Sequence, residues 1–309
     1  DEQWKNYVIM LHDSVLTHRR RIEQQWLVNF AYFLGYQNIL WFPVTGALRV
    51  NADEASRIVV NRIGAFVEAR HAKMTRSRPK PSAIPNSNDL DDRRAAKAAE
   101  QLLFHIWSKT SQEGVRDRMV LHMLVTGTAF LETLWNPDSD YADSLKRVRR
   151  NANDRTIIEM DEAGDIEETI YLGEVETRFR PVWDILVPND AIPEIRDNPW
   201  IIVRNRMTIM EAVSKWPHLQ GKLAPSPDSE LYTSAEKQAL ELSSPLFRGT
   251  LARDEPIDDP LGQVLCKTMW MKPNHEHPEG LRIDICGGQF AAKDEWPDFY
   301  GKRNIYPYV

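Results

Sequence analysis

The sequence predicts an α+β fold, and three observations support this prediction. The first is a long helix over residues 4–34, in which one face is apolar at helical spacing. The second is a pair of strand-like segments, 263–271 and 281–286, whose side chains separate into an apolar and a polar face. The third is a series of short helices and hairpins between them, interrupted by proline-rich loops.

Composition limits the class of protein. The chain has 309 residues, of which 42% are hydrophobic and 27% charged, enough for one large domain or two to three small ones. Its 10 tryptophans favour interfaces as well as a core. No apolar run approaches the roughly 18 residues of a membrane span, so no membrane partner is expected. The first residues show no basic segment ahead of an apolar one, so no secretory signal is predicted.

Charge is distributed unevenly along the chain. Residues 1–110 hold 16 of the 39 Lys and Arg residues and 11 of the 45 Asp and Glu residues. The remaining 23 basic and 34 acidic residues make the rest of the chain acidic, and the net charge is −6. A tight nonspecific DNA-binding protein usually carries a strong basic surface. This chain as a whole does not, so we expect local contacts with DNA at most.

The N-terminal third is predicted to be mainly helical. The apolar face of the first helix has intervals of three, four and seven: Trp4, Val8, Leu11, Val15, Ile22 and Trp26. A strand, a turn and a second strand follow over 36–51, and residues 54–76 return to helical spacing. The basic run from His18 to Arg21 is either a solvated helix turn or a contact for a partner or a phosphate.

The middle of the chain mixes helices, strands and linkers. Helices are predicted over 91–110, 112–126, 204–217 and 237–242, strands over 128–135 and 182–188, and a hairpin over 156–172. Surface loops or linkers are predicted at 77–92, 221–229 and 254–260. Thr208 with Glu211 and Thr233 with Glu236 match the capping box, in which two side chains satisfy unpaired backbone N–H groups at a helix start.

The C-terminal hairpin has a predicted register. If its strands pair symmetrically about Glu276, Cys266 faces Cys286 and Trp270 faces Arg282. One face is then apolar apart from Lys267: Leu265, Met269, Met271, Leu281, Ile283 and Ile285. The other face is mixed: Val264, Cys266, Thr268, Trp270, Arg282, Asp284 and Cys286. A slip by one residue would mix these sets, which supports the register.

The loop of this hairpin carries His275 and His277 and raises the question of a metal site. Cys266 lies five residues from the strand end, about 17 Å at roughly 3.3 Å per residue, so it cannot share an ion with the histidines. The histidines alone are a weak ligand set, and we expect no metal. In a reducing compartment we expect Cys266 and Cys286 to form a thiol pair rather than a disulfide.

No established catalytic motif occurs in the sequence. It contains no phosphate-binding loop, dinucleotide fingerprint, metalloprotease helix or nucleophile elbow. Asp184 is the best lone carboxylate in apolar surroundings, and a capping or turn hydrogen bond is its expected use. Nothing combines a nucleophile, a base and an oxyanion hole, so we predict a protein without catalytic residues or cofactor.

A series of segments resembles, in the same order, the portal proteins (head-to-tail connectors) of tailed bacteriophages, in particular those of short-tailed phages. The segments are WLVNFAYFLGYQNILW (26–41), RVNADEASRIVVNRIGAFVEARHAKMTRSRP (49–79), AAKAAEQLLFHIW (95–107), MVLHMLVTGTAFLETLWNP (119–137), PVWDILVP (181–188), NPWIIVRNRMTIMEAVSKWP (198–217) and VLCKTMWMKP (264–273). Each is weakly specific alone, but together they span most of the chain.

The resemblance implies a ring, typically of twelve subunits, at one capsid vertex of the virion, assembled in the host cytoplasm. Double-stranded DNA would pass through it nonspecifically during packaging and ejection, and a weakly acidic channel would not retain the phosphates. The implied partners are the terminase large subunit, adaptor or tail proteins, and the major capsid and scaffolding proteins. The implied regions are a wing (1–205), stem-proximal helices and linkers (206–260) and a clip hairpin (261–309).

The resemblance also assigns residues of the hairpin. Its tip would bind terminase or adaptor through Lys272, His275, His277 and Arg282. Its apolar face would contact neighbouring subunits through Met269, Met271, Ile283 and Ile285. Portal chains usually continue past the clip with a second stem helix, a tunnel loop and a crown, which are not found before Val309. The alternatives are another virion structural protein, such as a tail or adaptor component, and a metal-dependent hydrolase using His275 and His277.

Overall fold

The computed structural model describes residues 2–37, 39–42, 47–50, 60–77, 82–109, 112–136, 147–150, 156–159, 174–190, 192, 194–243, 262–296 and 305–308. It mixes helix and strand, so the predicted α+β class is confirmed. The chain divides into two compact units. One contains residues 1–78, 116–130 and 179–309, and the other contains residues 79–115 and 131–178.

The helices and strands have the following bounds. The helices are α1 (Glu2–Phe33), α2 (Arg62–Thr75), α3 (Leu90–Lys109), α4 (Gln112–Thr126), α5 (Ile209–Lys215), α6 (Asp228–Leu231) and α7 (Ser234–Ser243). The strands are β1 (Ile39–Phe42), β2 (Ala47–Val50), β3 (Phe130–Asn136), β4 (Arg147–Arg150), β5 (Thr156–Glu159), β6 (Glu174–Arg180), β7 (Ile185–Leu186), β8 (Trp200–Thr208), β9 (Gln263–Met271), β10 (Leu281–Cys286) and β11 (Gln289–Asp294).

A five-stranded antiparallel sheet, in the order β11-β10-β9-β8-β7, organises the first unit. The predicted register of β9 and β10 is confirmed: Cys266 pairs with Cys286, and Trp270 pairs with Arg282. Strand β11, which the sequence reading missed, follows β10 through Gly287 and Gly288. Both have positive φ values, 54° and 71°, as a tight two-residue hairpin turn requires.

Helix α1 covers one face of this sheet. Val8 and Val15 of the helix pack on Leu186, Ile202, Met269, Leu281, Ile283 and Ile285 of the strands, and all of these side chains are buried. The strand residues come from alternate positions, because side chains two apart share a face. The N-terminal helix and the predicted apolar face of the hairpin therefore form one intrachain core.

The opposite face of the sheet carries two further clusters. One contains Trp270, Trp296, Tyr306 and Tyr308 with Ile185, Ile201 and Val203. The other contains Cys266, Cys286, Val264 and Ala291 with Ala212, Trp216 and Leu219 of the segment that follows β8. The sheet is thus buried on both faces, unlike an antiparallel sheet with one solvated face.

Two predicted elements differ from the structure. Residues 204–208 were predicted as the start of a helix, but they belong to β8, where Arg204 pairs with Lys267 and Thr208 pairs with Gln263. Thr208 still caps the helix, since α5 begins at the next residue with the predicted capping box. The first half of the predicted 156–172 hairpin forms β5, which pairs with β4 (Arg147–Arg150). The predicted turn of the 156–172 hairpin lies outside the described residues.

Smaller sheets complete the fold. Strand β1 pairs with β2, as predicted, and β3 pairs with β6. In the second unit, α3 is 20 residues long, and none of its described side chains is buried. Strand β8 runs through the predicted boundary at residue 205 and pairs with β9, and the predicted boundary at residue 260 lies outside the described residues. Within the described ranges, no helix is long and apolar enough to cross a membrane.

Candidate docking site

The loop between β9 and β10 has a defined conformation of its own. Asn274 organises it: its Oδ1 accepts hydrogen bonds from the backbone N–H groups of Glu276 (3.0 Å) and His277 (2.8 Å). Its own N–H donates to the carbonyl of His277 (3.0 Å), as does the N–H of Gly280 (3.1 Å). An asparagine that bonds backbone groups two and three residues ahead closes a turn locally. The tip is therefore preformed.

Gly280 fixes the point at which this loop returns to the sheet. Its φ is +76°, and a Cβ atom at this position would lie 2.9 Å from the ring of Trp296. Trp296 is buried and donates from Nε1 to the carbonyl of Leu281 (3.1 Å). Glycine is required both by the left-handed conformation and by the close approach of the indole.

The first turn of α1 lies beside the loop. The centre of the Trp4 ring lies 5.6 Å from the centre of the His277 ring. It lies 5.9 Å from the centre of the Tyr7 ring, and Trp4 and Tyr7 meet edge-on. Lys293 of β11 places Nζ 4.7 Å from the centre of the Trp4 ring, within the range of a cation–π contact. Trp4 of α1 thus contacts both the loop between β9 and β10 and the edge strand β11.

Two clefts flank this loop. One, of about 500 Å³, is lined by Gln3, Trp4, Tyr7, Met271, Asn274 and Glu276. The other, of about 300 Å³, is lined by Glu276, His277, Pro278, Glu279, Gly280, Leu281, Lys293, Asp294 and Glu295. Four exposed carboxylates belong to the second cleft, whereas the first has aromatic walls. We call this surface, the loop 273–280 with the two clefts, the docking surface.

The residues predicted to form a partner-binding tip lie in different environments. His275 is exposed, and His277 is half-buried against Trp4. Lys272 is half-buried; it donates from Nζ to the carbonyl of Arg196 and lies over the ring of Tyr306. Intrachain contacts also hold Arg282. The structure therefore brings the two histidines together at the tip but not the two cations.

Arg282 lies on the face of the sheet opposite α1. Its Nη2 donates to Asp284 (2.8 Å), its guanidinium is 5.3 Å from the centre of the Trp270 ring, and Asp284 also accepts from Thr268 (2.6 Å). The sequence predicted that these residues share the mixed face. It did not predict the hydrogen bonds and the cation–π contact that they make with one another. The exposed charges of the tip are instead carboxylates.

The proposed subunit-facing residues need a correction. Met269, Ile283 and Ile285 are buried beneath α1 of the same chain, and Met271 is half-buried beside them. The apolar face of the hairpin was predicted correctly, but the element that covers this face is α1 of the same chain. The pattern alone specifies only that something apolar covers the face.

The cysteines also need a correction. Cys266 and Cys286 are joined by a disulfide, with their Cα atoms 4.0 Å apart, where a thiol pair was expected. The antiparallel register that places them opposite each other brings their side chains together. They lie at the end of β9 and β10 remote from the loop histidines. Over the described part of the chain, no three His, Cys, Asp or Glu side chains are grouped to hold a metal ion.

A buried ion network is the main feature that sequence reasoning missed. Arg204 of β8 is 1% exposed and Glu236 of α7 is 4% exposed; Arg204 Nη1 lies 3.4 Å from Glu236 Oε2. Arg206 bonds Glu236 as well, and lies 3.1 Å from Asp184 Oδ1. Lys267 Nζ is 3.5 Å from Glu230. The carboxylate of Asp184 is thus an ion-pair partner, and the backbone N–H of Asp184 donates to the carbonyl of Pro181 (3.1 Å) in a turn.

Burial governs the ionisation of this network. It raises the pKa of Glu236 and of Asp184, and the guanidinium of Arg206 acts in the opposite direction on both. Burial likewise lowers the pKa of Arg204, against the nearby Glu236. Glu236 also completes the predicted capping box, since Thr233 N–H donates to it (3.4 Å) and its N–H donates to Thr233 Oγ1 (3.3 Å). The network therefore ties the sheet to α7.

Arg19 extends the buried polar region along α1. It belongs to the basic run from His18 to Arg21, for which the sequence left two predictions. One was a solvated helix turn, and the other was a contact for a partner or a phosphate. The structure separates the run: His18, Arg20 and Arg21 are exposed, but Arg19 is 2% exposed. Its guanidinium donates to the carbonyls of Ile185 and Val182 and lies 4.6 Å from the Trp26 ring. Arg19 thus anchors α1 to the sheet edge.

No protein-family model matches this chain, and no curated protein is significantly similar to it.

Proposed function

We propose that this chain is a subunit of a ring-forming portal at one vertex of a tailed-phage capsid. The ring is a conduit for double-stranded DNA during packaging and ejection, and a docking platform for terminase and tail or adaptor proteins. The observation that carries the proposal is the series of segments that resemble portal proteins, which extends from residue 26 to residue 273 in the family's order. A tail or adaptor component is the second candidate.

Two features of the fold support this proposal. Helix α1 and the hairpin form one core, so the hairpin loop is held rigidly at the end of a 32-residue helix. A rigid mount is what a docking loop requires, because little conformational entropy is then lost on binding. The disulfide between Cys266 and Cys286 is consistent with a particle that leaves the reducing cytoplasm.

The docking surface is the part of the chain that we assign to terminase and adaptor. It combines a preformed loop, aromatic side chains at the wall of one cleft and carboxylates at the rim of the other. Aromatic residues in a pocket supply most of the affinity of an interface, and rim charges supply specificity and speed of association. A partner segment that suits it has an apolar anchor and flanking Lys or Arg.

The first prediction concerns assembly. We expect the purified chain to form closed rings, commonly of twelve copies, because the head-to-tail contacts of identical subunits close into rings when the rotation permits. Native mass spectrometry and negative-stain electron microscopy over a range of protein and salt concentrations measure this. A chain that stays monomeric under every assembly condition contradicts the portal proposal.

The second prediction concerns the loop. We expect the double substitution Glu276→Lys with Glu279→Lys to weaken binding of the terminase large subunit or adaptor encoded with this chain by about tenfold or more, because rim charge reversal replaces attraction by repulsion. Ring formation should be unchanged. Biolayer interferometry measures the binding, and native mass spectrometry measures the ring.

Glu68→Lys with Glu100→Lys is the matched control for this experiment, since both glutamates are exposed on helices and the charge change is equal. The control should bind like the parent chain. If the loop variant binds normally, the docking assignment is wrong; if it loses the ring instead, the loop is a contact between subunits.

A further inference from the structure

Helix α2 is attached at its start by a single asparagine. Asn61 Oδ1 accepts from the N–H of Gly64 (2.8 Å), which caps the helix, and Asn61 Nδ2 donates to the carbonyl of Phe33 at the end of α1 (2.9 Å). A Cβ on Gly64 would lie 2.5 Å from Asn61 Nδ2, so glycine is needed for this approach. Asn61 therefore joins the start of α2 to the end of α1.

The far end of α2 is held on the same side by α4. Arg116 donates to the carbonyls of Thr75 (2.6 Å) and Ser77 (2.8 Å), and His71 Nε2 lies 3.0 Å from the carbonyl of Asp117. Val67, one turn before His71, is buried. These anchors define an inner face of α2, and the opposite face is directed to solvent.

The outer face of α2 carries a basic stripe around one aromatic ring. Arg62, Phe66, Arg70 and Lys73 are spaced by four, four and three residues, which places them on one side of a helix. All are exposed; Phe66 is 61% exposed, and the guanidinium of Arg70 is 5.1 Å from the centre of its ring. Glu68, the acidic residue of α2, points roughly 160° away from Phe66 at about 100° per residue.

An exposed phenyl ring between cations is suited to a particular ligand. Phosphates along a nucleic-acid strand match a row of cations, and a ring with a free edge and face stacks on an unpaired base. We propose that this stripe binds single-stranded nucleic acid, with Arg62, Arg70 and Lys73 on phosphates and Phe66 on a base. Paired bases in a duplex present no free face, so a duplex would use the cations alone.

The charge of the surrounding chain favours this ligand over an acidic protein segment. From residue 62 to residue 80 the sequence holds six Lys and Arg residues, at positions 62, 70, 73, 76, 78 and 80, and one acidic residue, Glu68. The exposed apolar residues Ile63 and Met74 lie at the border of the inner face, beside Val67, rather than within the stripe. The centre of the surface is therefore cationic and aromatic.

This site is separate from the docking surface. Trp4 lies at the first turn of α1 and α2 is attached at its end, and a 32-residue helix is about 48 Å long. The inference does not depend on a ring or on terminase, and it holds equally for a tail or adaptor component. The net charge of −6 restricts nucleic-acid contact to such local surfaces.

Fluorescence anisotropy of the full chain with labelled oligonucleotides tests the inference. We expect a deoxythymidine dodecamer to bind with a log–log salt slope of about −2, since three neutralised phosphates contribute about −0.7 each. Phe66→Leu, which keeps an apolar side chain without a ring, should weaken binding of this strand about tenfold. The same substitution should leave binding of a duplex of equal length unchanged.

The charge variants complete the test. Arg70→Ala with Lys73→Ala should reduce the salt slope to about −0.7, because one cation of the stripe remains. Arg94→Ala with Lys97→Ala removes two cations that are also exposed, from α3, and should change nothing. Circular dichroism confirms that each variant is folded. Absence of binding, an equal loss in the α3 variant, unchanged binding by Phe66→Leu, or displacement by polyglutamate as effective as by the unlabelled strand overturns the proposal.

Discussion

Replacing Arg204 by methionine is expected to destabilise the chain by about 3–5 kcal/mol, the cost of removing one partner from a buried ion pair. Methionine approximates the length of the side chain but carries no charge and no donor. Urea unfolding followed by tryptophan fluorescence measures the loss, and the 10 tryptophans of the chain provide the signal.

The size of this effect follows from what Arg204 satisfies. Its guanidinium donates to the carbonyls of Leu231 (2.8 Å), Glu230 (3.2 Å) and Trp183 (3.4 Å) as well as facing Glu236. Removing it takes this donor from the carbonyls of Glu230 and Trp183 and leaves the Leu231 carbonyl with Arg206 Nε (3.0 Å). Arg206 is then the remaining cation at Glu236. Each unsatisfied buried acceptor costs about 1–3 kcal/mol, so a loss in the upper part of the range is reasonable.

A double-mutant cycle distinguishes the ion pair from simple packing. Glu236→Gln keeps a group that serves in the capping box but removes the charge. If the pair is coupled, the double variant Arg204→Met with Glu236→Gln is more stable than the sum of the two single losses predicts. Arg196→Ala is the control for a solvent-exposed pair with Glu194, and it should cost at most about 1 kcal/mol. Equal losses for Arg204→Met and Arg196→Ala would contradict the buried-network assignment.

Local signals in the sequence predict part of this fold well. The register of β9 and β10 was fixed by the separation of side chains into two faces, and the capping boxes at Thr208 and Thr233 fixed the starts of α5 and α7. The Gly287-Gly288 pair, a standard two-residue hairpin signal, was available for β11 but was not used. These features depend on residues close in the sequence.

Long-range partners could not be predicted in the same way. The apolar face of the hairpin was assigned to a neighbouring subunit, whereas Val8 and Val15 of α1, more than 250 residues before Met269, cover it. Arg204 and Glu236 lie on elements whose contact is set only by the folded chain, and each alone resembles an ordinary surface charge. For the docking surface, the loop was located from sequence, but Trp4 and β11 at its sides were not.

Replacing Met269 by alanine is expected to cost about 2–5 kcal/mol, because the side chain is 0% exposed and sits between α1 and the sheet. The expected loss of unfolding free energy has two contributions. One is the lost burial of the methionine side chain, and the other is the cavity that remains because the surrounding strands and helix relax only partly. Urea unfolding is again the measurement, at concentrations where native mass spectrometry shows monomer.

Met271→Ala is the matched control, since Met271 lies on the same face of the same strand but is half-buried at the edge of the core. It should cost clearly less than Met269→Ala. The two assignments of this face also differ in their dependence on protein concentration. If α1 covers Met269, the loss is the same after a tenfold dilution; if a neighbouring subunit covers it, the loss disappears in the monomer because interface burial is linked to assembly. A concentration-independent loss therefore places the apolar face of the hairpin inside the subunit.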